Sequence, residues 1–417
     1  MSSSPPEIPD AETKAAAGQP CAAGAISQHF DTRTAATELA ESIHGVVGDT
    51  CDLMFVFGSF HHRAAFEIAV QTLRQTVHPT TTIGVTAESV LGGDLECEGL
   101  AALSVLALRL PGLNTRVWSA GPGVPLRAAD HEELRDQTHL NDDAKGVIVV
   151  ADPFTTPIND VLRALSSLST RDQPVPIMGG LASGASQPGH NMLIMDDHVQ
   201  TAGIVGVTLS GDVEISCVVS QGCRPIGEPH VITRGDGNTV FELSGRPATE
   251  VLREEANELN DHDKALLGRG LFVGTVINEH KAHFGRGDFL IRAVTGMDND
   301  AGSLVVGDRI RTGQTIQFHV RDADTADEDL QLLLDLEQLN DPPLAALLFT
   351  CNSRGSRLFH DEHHDVRLIR SRLGDVPLAG FFAGGEVGPV GQESFLHGHT
   401  ACLVLFRSTH KTNAPLD

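Results

Sequence analysis

The 417-residue sequence predicts an α/β (α+β) fold of two linked halves, with mixed sheets covered by helices and built from repeated strand-helix-strand units. Three observations carry that expectation. Apolar runs of strand length recur, amphipathic helical stripes fall between them, and short segments ending in glycine lead each time to a further apolar run. Continuous apolar strands suit sheets buried on both faces, and the paired returns favour mixed over purely parallel sheets.

Taken in order, the first 28 residues mix Ser, Pro, Ala and Glu with almost no large apolar side chains, so they are expected to form a disordered tail. Helices follow over 34–44, with Leu39 and Ile43 at helical spacing, and over 63–77, where Phe66, Val70, Leu73 and Val77 make one stripe. The first copy of the repeat has strands at 53–58 and 100–108 around a buried segment at 82–88. The second runs through 146–151, 175–180 and 203–209, with Thr155 or Thr156 expected to cap a helix and Pro157 to occupy its first turn. The third runs through 344–351, a helix over 365–373, then 376–386 and 400–406.

Turn formers are dense over 222–236, which places the expected joint there and gives domains at 29–225 and 226–410, with a tail at 411–417. Two more helices are expected at 247–259 and 325–339, the second with a Thr cap and an acidic first turn that suits the helix dipole.

Composition narrows the function. Against 30 basic residues stand 55 acidic ones, a formal charge of −25 that repels nucleic-acid phosphates and anionic lipid alike, so neither is an expected partner. Tyrosine is absent and tryptophan occurs once, which leaves few stacking platforms for single strands. The seven cysteines are scattered and odd in number, and read as reduced thiols. With no signal-like start and no apolar run long enough for a membrane span, a cytoplasmic protein is expected.

Glycines collect near strand ends, at Gly84, Gly179, Gly180, Gly380, Gly384 and Gly385 among others, where backbone amides can approach a ligand closely. Tight turns also need glycine, so any single one is more often structural. Neither Gly-x-Gly-x-x-Gly nor a P-loop stands between a strand and a helix. In Cys351-Asn-Ser-Arg-Gly355, just past a strand end, Arg354 is the candidate to pair an anion, while Cys351 reads equally as a small buried hydrophobe. Glu386 follows Gly384-Gly385 in an apolar surround, and Glu88 is taken as its counterpart in the first copy; either suits a ligand ammonium or the role of a base. Cys351 with His397 or His399 would permit Cys/His chemistry, a hydrolase or transferase, though no signature positions the base.

The run from His360 to Asp365 holds many metal-ligating types, yet adjacent side chains diverge, so a solvated loop is expected rather than a metal site. The same applies to His61 and His62. A haem held by one of the 20 histidines stays open as an alternative cofactor.

The stretch 307–405, with GDRIRTGQTIQFHVRDADTADEDL, LLFTCNSRG, GFFAGGEVGPVG and FLHGHTACLVLF, closely resembles the FIST C-terminal domain. Upstream, GVTAESVLGGDLECEG, DPFTTP, MGGLASG and QGCRPIG resemble the FIST N-terminal domain. The resemblance implies an intracellular sensory, signal-transduction protein that binds a small ligand, with an amino acid or similar carboxylate the usual proposal and a haem-based gas sensor the variant. Its cysteine–arginine–glycine loop falls on Cys351, Arg354 and Gly355, and its glycine–glutamate loop on Gly385 and Glu386; Asn-Ser stands here where many relatives have glycine before the arginine. No kinase or cyclase is attached, so a separate output protein is the expected signalling partner. The ligand-binding set is therefore Thr86, Glu88, Gly179, Gly180, Cys351, Arg354, Gly355, Gly380, Gly384, Gly385 and Glu386, with no catalytic or metal residue assigned. It requires the loops near Thr86, Gly179, Cys351 and Glu386 to meet around one cavity.

Overall fold

In the computed structural model, which describes residues 19–122, 131–168, 174–281 and 283–409, each copy of the repeat becomes one six-stranded mixed sheet. The first copy pairs Cys51–Ser59 in parallel with Pro79–Ala87, and Leu103–Arg109 returns antiparallel to the first of these. The second does the same with Ala144–Ala151, Ile177–Leu181 and Ile204–Gly211, and the third with Ala345–Cys351, Leu378–Ala383 and Thr400–Ser408. A crossover helix links each parallel pair: Phe66–Val77, Ile158–Ser167 and His364–Leu373. A parallel pair needs such a crossover, because its second strand must start at the same end as the first.

Alternation along each first strand explains the continuous apolar runs. Phe55 and Phe57, Ile148 and Val150, and Leu347 and Phe349 point into one central core shared by all three sheets. Met54 and Val56, Val147 and Val149, and Ala346 and Leu348 point outward onto the helices. Both faces are buried, so neither can be polar. At the centre, Phe381 meets Phe57 at 5.3 Å and Phe349 at 5.5 Å between ring centroids.

The sheets also exchange strands in a ring. Just after its second strand each copy sends out a hairpin: Val90–Gly92 with Leu95–Cys97 joins the third sheet, Leu193–Met195 with His198–Gln200 the first, and Glu386–Val390 with Glu393–His397 the second. The registers coincide. Gly84, Gly179 and Gly380 face Val56, Val149 and Leu348 on one side and Ile194, Val387 and Leu91 of the incoming hairpins on the other. Each copy thus completes the sheet of another. A seven-stranded sheet built from 223–321 precedes the third copy in the chain, and the strand before it, Val213–Gln221, pairs with Thr400–Ser408.

Several local expectations change. Cys21–Ser27, expected within a disordered tail, is a strand beside Leu103–Arg109 in full register; small residues let it lie there, with Gly24 pressed against Leu378. The rest of that tail, up to residue 18, and the tail at 411–417 lie outside the described residues. The turn-rich stretch at 222–236 forms the strand Cys223–Asp236, its irregular residues absorbed by a register shift against Thr315–Arg321. Neither Thr155 nor Thr156 caps its helix: Thr155 Oγ1 donates to Asp152 and Thr156 Oγ1 to the Gly203 carbonyl. The helix Ala323–Glu337 is capped by Asp322, which accepts from the Asp324 amide, and not by Thr325. Among the described residues, no helix is long and apolar enough to cross a membrane.

Candidate functional site

The polar residues of interest gather where the third copy's parallel strands end. Cys351 closes one strand, Ala383 lies opposite it, and Glu386 opens the outgoing hairpin. Ser353 Oγ stands 3.2 Å from Cys351 Sγ and 2.7 Å from His399 Nδ1, so a hydroxyl bridges thiol and imidazole. Of the two histidines considered with Cys351, only His399 belongs to the cluster; His397 is buried with Nε2 on the Gly388 carbonyl.

Glu386 is completely buried. Its Oε2 accepts from the Thr400 amide at 3.2 Å and from the Thr400 hydroxyl at 2.8 Å, while Oε1 has no well-formed partner among the described residues; the Cys351 thiol also interacts with this carboxyl. The register makes this carboxyl exceptional. Glu386 occupies the position of Val90 in the first hairpin and Leu193 in the second, both fully buried apolar residues. Glu88, taken from the sequence as the counterpart of Glu386, instead follows Ala87 as Gly384 follows Ala383, and it is an exposed partner of Arg357 at 2.5 Å.

Arg354 is not the free guanidinium the sequence suggested. It is wholly buried, and Nε and Nη2 each donate to Asp365 at 2.8 Å, a bidentate pair. Asp365 also accepts from the Thr350 hydroxyl at 2.9 Å and meets His364, whose other ring nitrogen faces Asp327. Phe359 lies under the guanidinium at 5.2 Å and stacks on His364. Of the Arg354 nitrogens, Nη1 alone has no partner among the described residues, and Asn352 Oδ1 and Glu96 Oε2 nearby are likewise buried without one there. A buried polar atom left unpaired costs about 1–3 kcal/mol, so four of them around one strand end are a substantial local penalty.

Burial sets the charges. Desolvation, then the hydrogen bonds from Thr400, act on Glu386, and the first prevails: its carboxyl is pushed up to about 8. Cys351 is pushed up to about 12 by desolvation and by Glu386, so it is a thiol and not a thiolate at neutral pH. His399 is lowered to about 4, by burial first and then by Arg321 and Arg354. Asp365, by contrast, stays well below the usual carboxylate range because Arg354 outweighs its burial. Glu96 is pushed up to about 8 by desolvation and by Asp365. At neutral pH the Cys351–Ser353–His399–Glu386 chain is thus uncharged, beside one guanidinium with a free edge.

These loops touch one another directly, with hydrogen bonds between them where the sequence reading expected a cavity. The Glu88 amide donates to Ser183 Oγ at 2.9 Å, Ser183 donates in turn to the Phe382 carbonyl, and the Phe382 amide donates to the Ser89 carbonyl at 3.0 Å. Gly384 donates to the Leu181 carbonyl at 2.9 Å, and the Gly385 carbonyl accepts from Leu181 at 2.8 Å. Thr86 is occupied by the Met192 backbone through both its amide and its hydroxyl. Gly355 adopts φ +56°, and any Cβ there would stand 2.4 Å from Glu98 Oε1. Gly179, Gly180 and Gly380, expected at a pocket, are correctly placed only as strand residues: a Cβ on Gly179 or Gly380 would sit 1.8 or 1.9 Å from a neighbouring carbonyl oxygen, and one on Gly180 3.0 Å from Phe381. They serve strand packing.

Sequence reasoning missed Ser353, Thr400, Asp365 and Glu96. Asp365 lay within a run set aside as a solvated loop, and Glu96 reaches the site on the first copy's hairpin, a long-range pairing that no local pattern discloses. Within 360–365, His363 accepts from the Glu96 amide and His364 is held by two aspartates; among the described residues no group of metal-ligating side chains converges.

Residues 52–246 match the profile of the FIST N domain and residues 248–389 that of the FIST C domain. The chain belongs to the FIST family. FIST domains are small-ligand-binding signal-transduction domains. An uncharacterised protein of Mycobacterium tuberculosis strain H37Rv is 38% identical over 388 residues, covering 91% of this FIST chain and 98% of its own. One from Mycobacterium bovis is 36% identical over 385 residues, 90% and 96% of the two chains. Among solved structures, a cyanuric acid hydrolase from A. caulinodans aligns over 94% of this chain and 100% of its own, at 10% identity and a TM-score of 0.32. That likeness is too weak to carry either fold or chemistry across.

Proposed function

We propose that this FIST protein is a sensory module that encloses a small zwitterionic or carboxylate ligand, such as an amino acid, at the strand end bounded by Cys351, Arg354 and Glu386. The observation that carries the reading is the carboxyl at 386, where the other two copies have Val90 and Leu193. A buried carboxyl in an apolar position is retained against its desolvation cost when it has a partner to meet. Arg354 Nη1 and Glu386 Oε1, both buried and both open, offer a donor for a ligand carboxylate and an acceptor for a ligand ammonium.

The arrangement suits binding better than nucleophilic chemistry. A thiol pushed up to about 12 and an imidazole lowered to about 4 are a weak nucleophile and a weak base. Access requires the turn after Cys351 to move, since Arg357 and Ser356 tie it to Glu88 and Glu98 of the first copy. Displacement of this turn by a ligand would present an altered surface to a separate output protein.

Isothermal titration of the purified protein against the standard amino acids and small carboxylates tests the reading, with native mass spectrometry for a retained molecule. One ligand class is expected to bind, and Glu386→Gln to weaken it at least tenfold while leaving the fold intact. Absence of binding across the panel, together with no retained mass, would remove the assignment.

A further inference from the structure

Apart from the Cys351 site, the third copy brings two thiols into contact. Cys217 lies on Val213–Gln221, the edge strand of its sheet, and Cys402 on Thr400–Ser408 beside it. Cys217 is opposite Val404 and Cys402 opposite Val219, so the two are diagonal neighbours on one face, with their Sγ atoms 3.3 Å apart.

The register again sets this copy apart. Cys402 is paired with Phe349 as Ser104 is with Phe57 and Val205 with Val150. The places of Cys217 and Cys402 are filled by Gly24 and Ser104 in the first copy and by Val117 and Val205 in the second, so packing at this point has no need of sulfur. The strand that crosses the pair leaves room for it: a Cβ on Gly388 would stand 2.9 Å from Cys402 Sγ. The two thiols differ in access. Cys402 is completely buried, with its thiol donating to the Val387 carbonyl at 3.1 Å, whereas Cys217 is only partly buried, at the rim of the central core. Hydrogen bonding with Cys217, then burial, hold the Cys402 thiol well above its ordinary range, so Cys217 is the one to meet an oxidant first.

We propose that Cys217 and Cys402 are a redox-sensing dithiol that closes to a reversible disulfide when the protein meets hydrogen peroxide. The Cys217 thiolate attacks one peroxide oxygen and the O–O bond breaks, leaving a sulfenic acid and a hydroxide that takes up the proton Cys217 released. Cys402 sulfur then attacks the sulfenic sulfur, the S–O bond breaks, and the Cys402 proton departs with that oxygen as a second water. Two electrons pass from the sulfurs to the peroxide. Cys402 is a weak nucleophile in itself, but it is held against its target and has only to close 3.3 Å to a bond of about 2 Å. The disulfide removes the thiol that donates to Val387, the residue after Glu386, so oxidation reaches the hairpin that carries the buried carboxyl.

The full chain, reduced and freed of reductant, is treated with hydrogen peroxide in slight excess, quenched in acid and read by intact and peptide mass spectrometry. Loss of two hydrogens is expected, with one cross-linked species joining the peptides of Cys217 and Cys402, an unchanged circular dichroism spectrum, and full return on adding dithiothreitol. Cys402→Ser should instead leave Cys217 as a sulfenic acid that dimedone captures, and Cys217→Ser should give neither the cross-link nor an adduct at Cys402. Cys351→Ser should form the disulfide to the wild-type extent, which separates this pair from the Cys351 site. No cross-link at tenfold excess of peroxide, a cross-link that forms only in urea, loss of two hydrogens that persists in Cys217→Ser, or a cross-link abolished by Cys351→Ser would each overturn the proposal.

Discussion

Ser59, Asp152 and Cys351 hold the same place in the three copies, each two residues past the inner-core residues Phe57, Val150 and Phe349, with Ser59 and Cys351 opposite Ala87 and Ala383. Ser59 closes its end by accepting from the Ala102 amide at 3.0 Å. Asp152 closes its own by accepting from Asn191 at 2.9 Å and Thr155 at 2.6 Å. At those two ends one nearby buried atom each stays open, His62 Nε2 and Asn191 Oδ1; at the third, Asn352, Arg354, Glu386 and Glu96 all contribute one. Three copies of one scaffold therefore end in two satisfied structural caps and one under-satisfied polar cluster. Stability explains the first two and not the third.

The largest expected effect tests how deeply the third end depends on its ion pair. Arg354→Met should cost about 3–5 kcal/mol, because Asp365 is then left charged and buried without its partner. Chemical denaturation measures this, and the double variant Arg354→Met/Asp365→Asn should recover most of the loss. Recovery of none would mean that the guanidinium acts through packing alone.

Next in size is a swap of character between copies. Val90→Glu should destabilise the protein by several kcal/mol at pH 8, since it places a carboxyl at a fully buried apolar position. Glu386→Val should do the opposite, raising stability while abolishing ligand binding. If Glu386→Val were instead the more damaging of the two, the carboxyl would be a structural element like Asp152.

The pH dependence sharpens the same contrast. Glu386 and Glu96 each have folded values raised to about 8, above the ordinary 4.5, so the native state holds extra protons between those limits. Stability contributed by their neutral forms is full below pH 4.5 and declines as pH rises to about 8. Wild-type melting temperature should fall as pH rises from 6.5 to about 8, above the range in which the buried histidines act, and Glu386→Gln should flatten part of the slope. His319, His397 and His399, lowered to about 4 chiefly by burial, act on the acid side, with stability lost as pH falls from 6.5 toward 4. A wild-type curve without the alkaline decline would contradict the buried neutral carboxyls.

The mixed α/β class and the threefold recurrence were legible in the sequence because both faces of each first strand are buried, which makes 53–57, 147–151 and 345–349 unbroken apolar runs. The exchange of hairpins was not legible: Val90–Gly92 is three residues long, and its partner Leu378–Ala383 lies almost 300 residues away. The motif residues Cys351, Arg354 and Glu386 were visible as a loop pair, and they do share a site. What a sequence lacks is the electrostatic partner. Asp365 consumes most of Arg354, and nothing in the spacing of 354 and 365 distinguishes that pair from two solvated charges. The glycines misled for a related reason, since a close carbonyl from a neighbouring strand demands glycine as firmly as a ligand does.

The smallest expected effect falls at the rim of the same strand end. Arg357 and Glu88 are about half exposed, and a pair of that kind contributes about 0–1 kcal/mol. Glu88→Gln should therefore leave the denaturation midpoint almost unchanged. Arg357 also donates to the Asn352 carbonyl, however, so loosening it frees the turn that covers Cys351. Hydrogen exchange at 352–358 should accelerate in Glu88→Gln, and in wild type as salt rises, because an exposed pair is screened while the buried Arg354–Asp365 pair is not. Equal protection in both proteins at both salt concentrations would make the turn a fixed part of the wall, and entry to the third strand end would then need a different element to move.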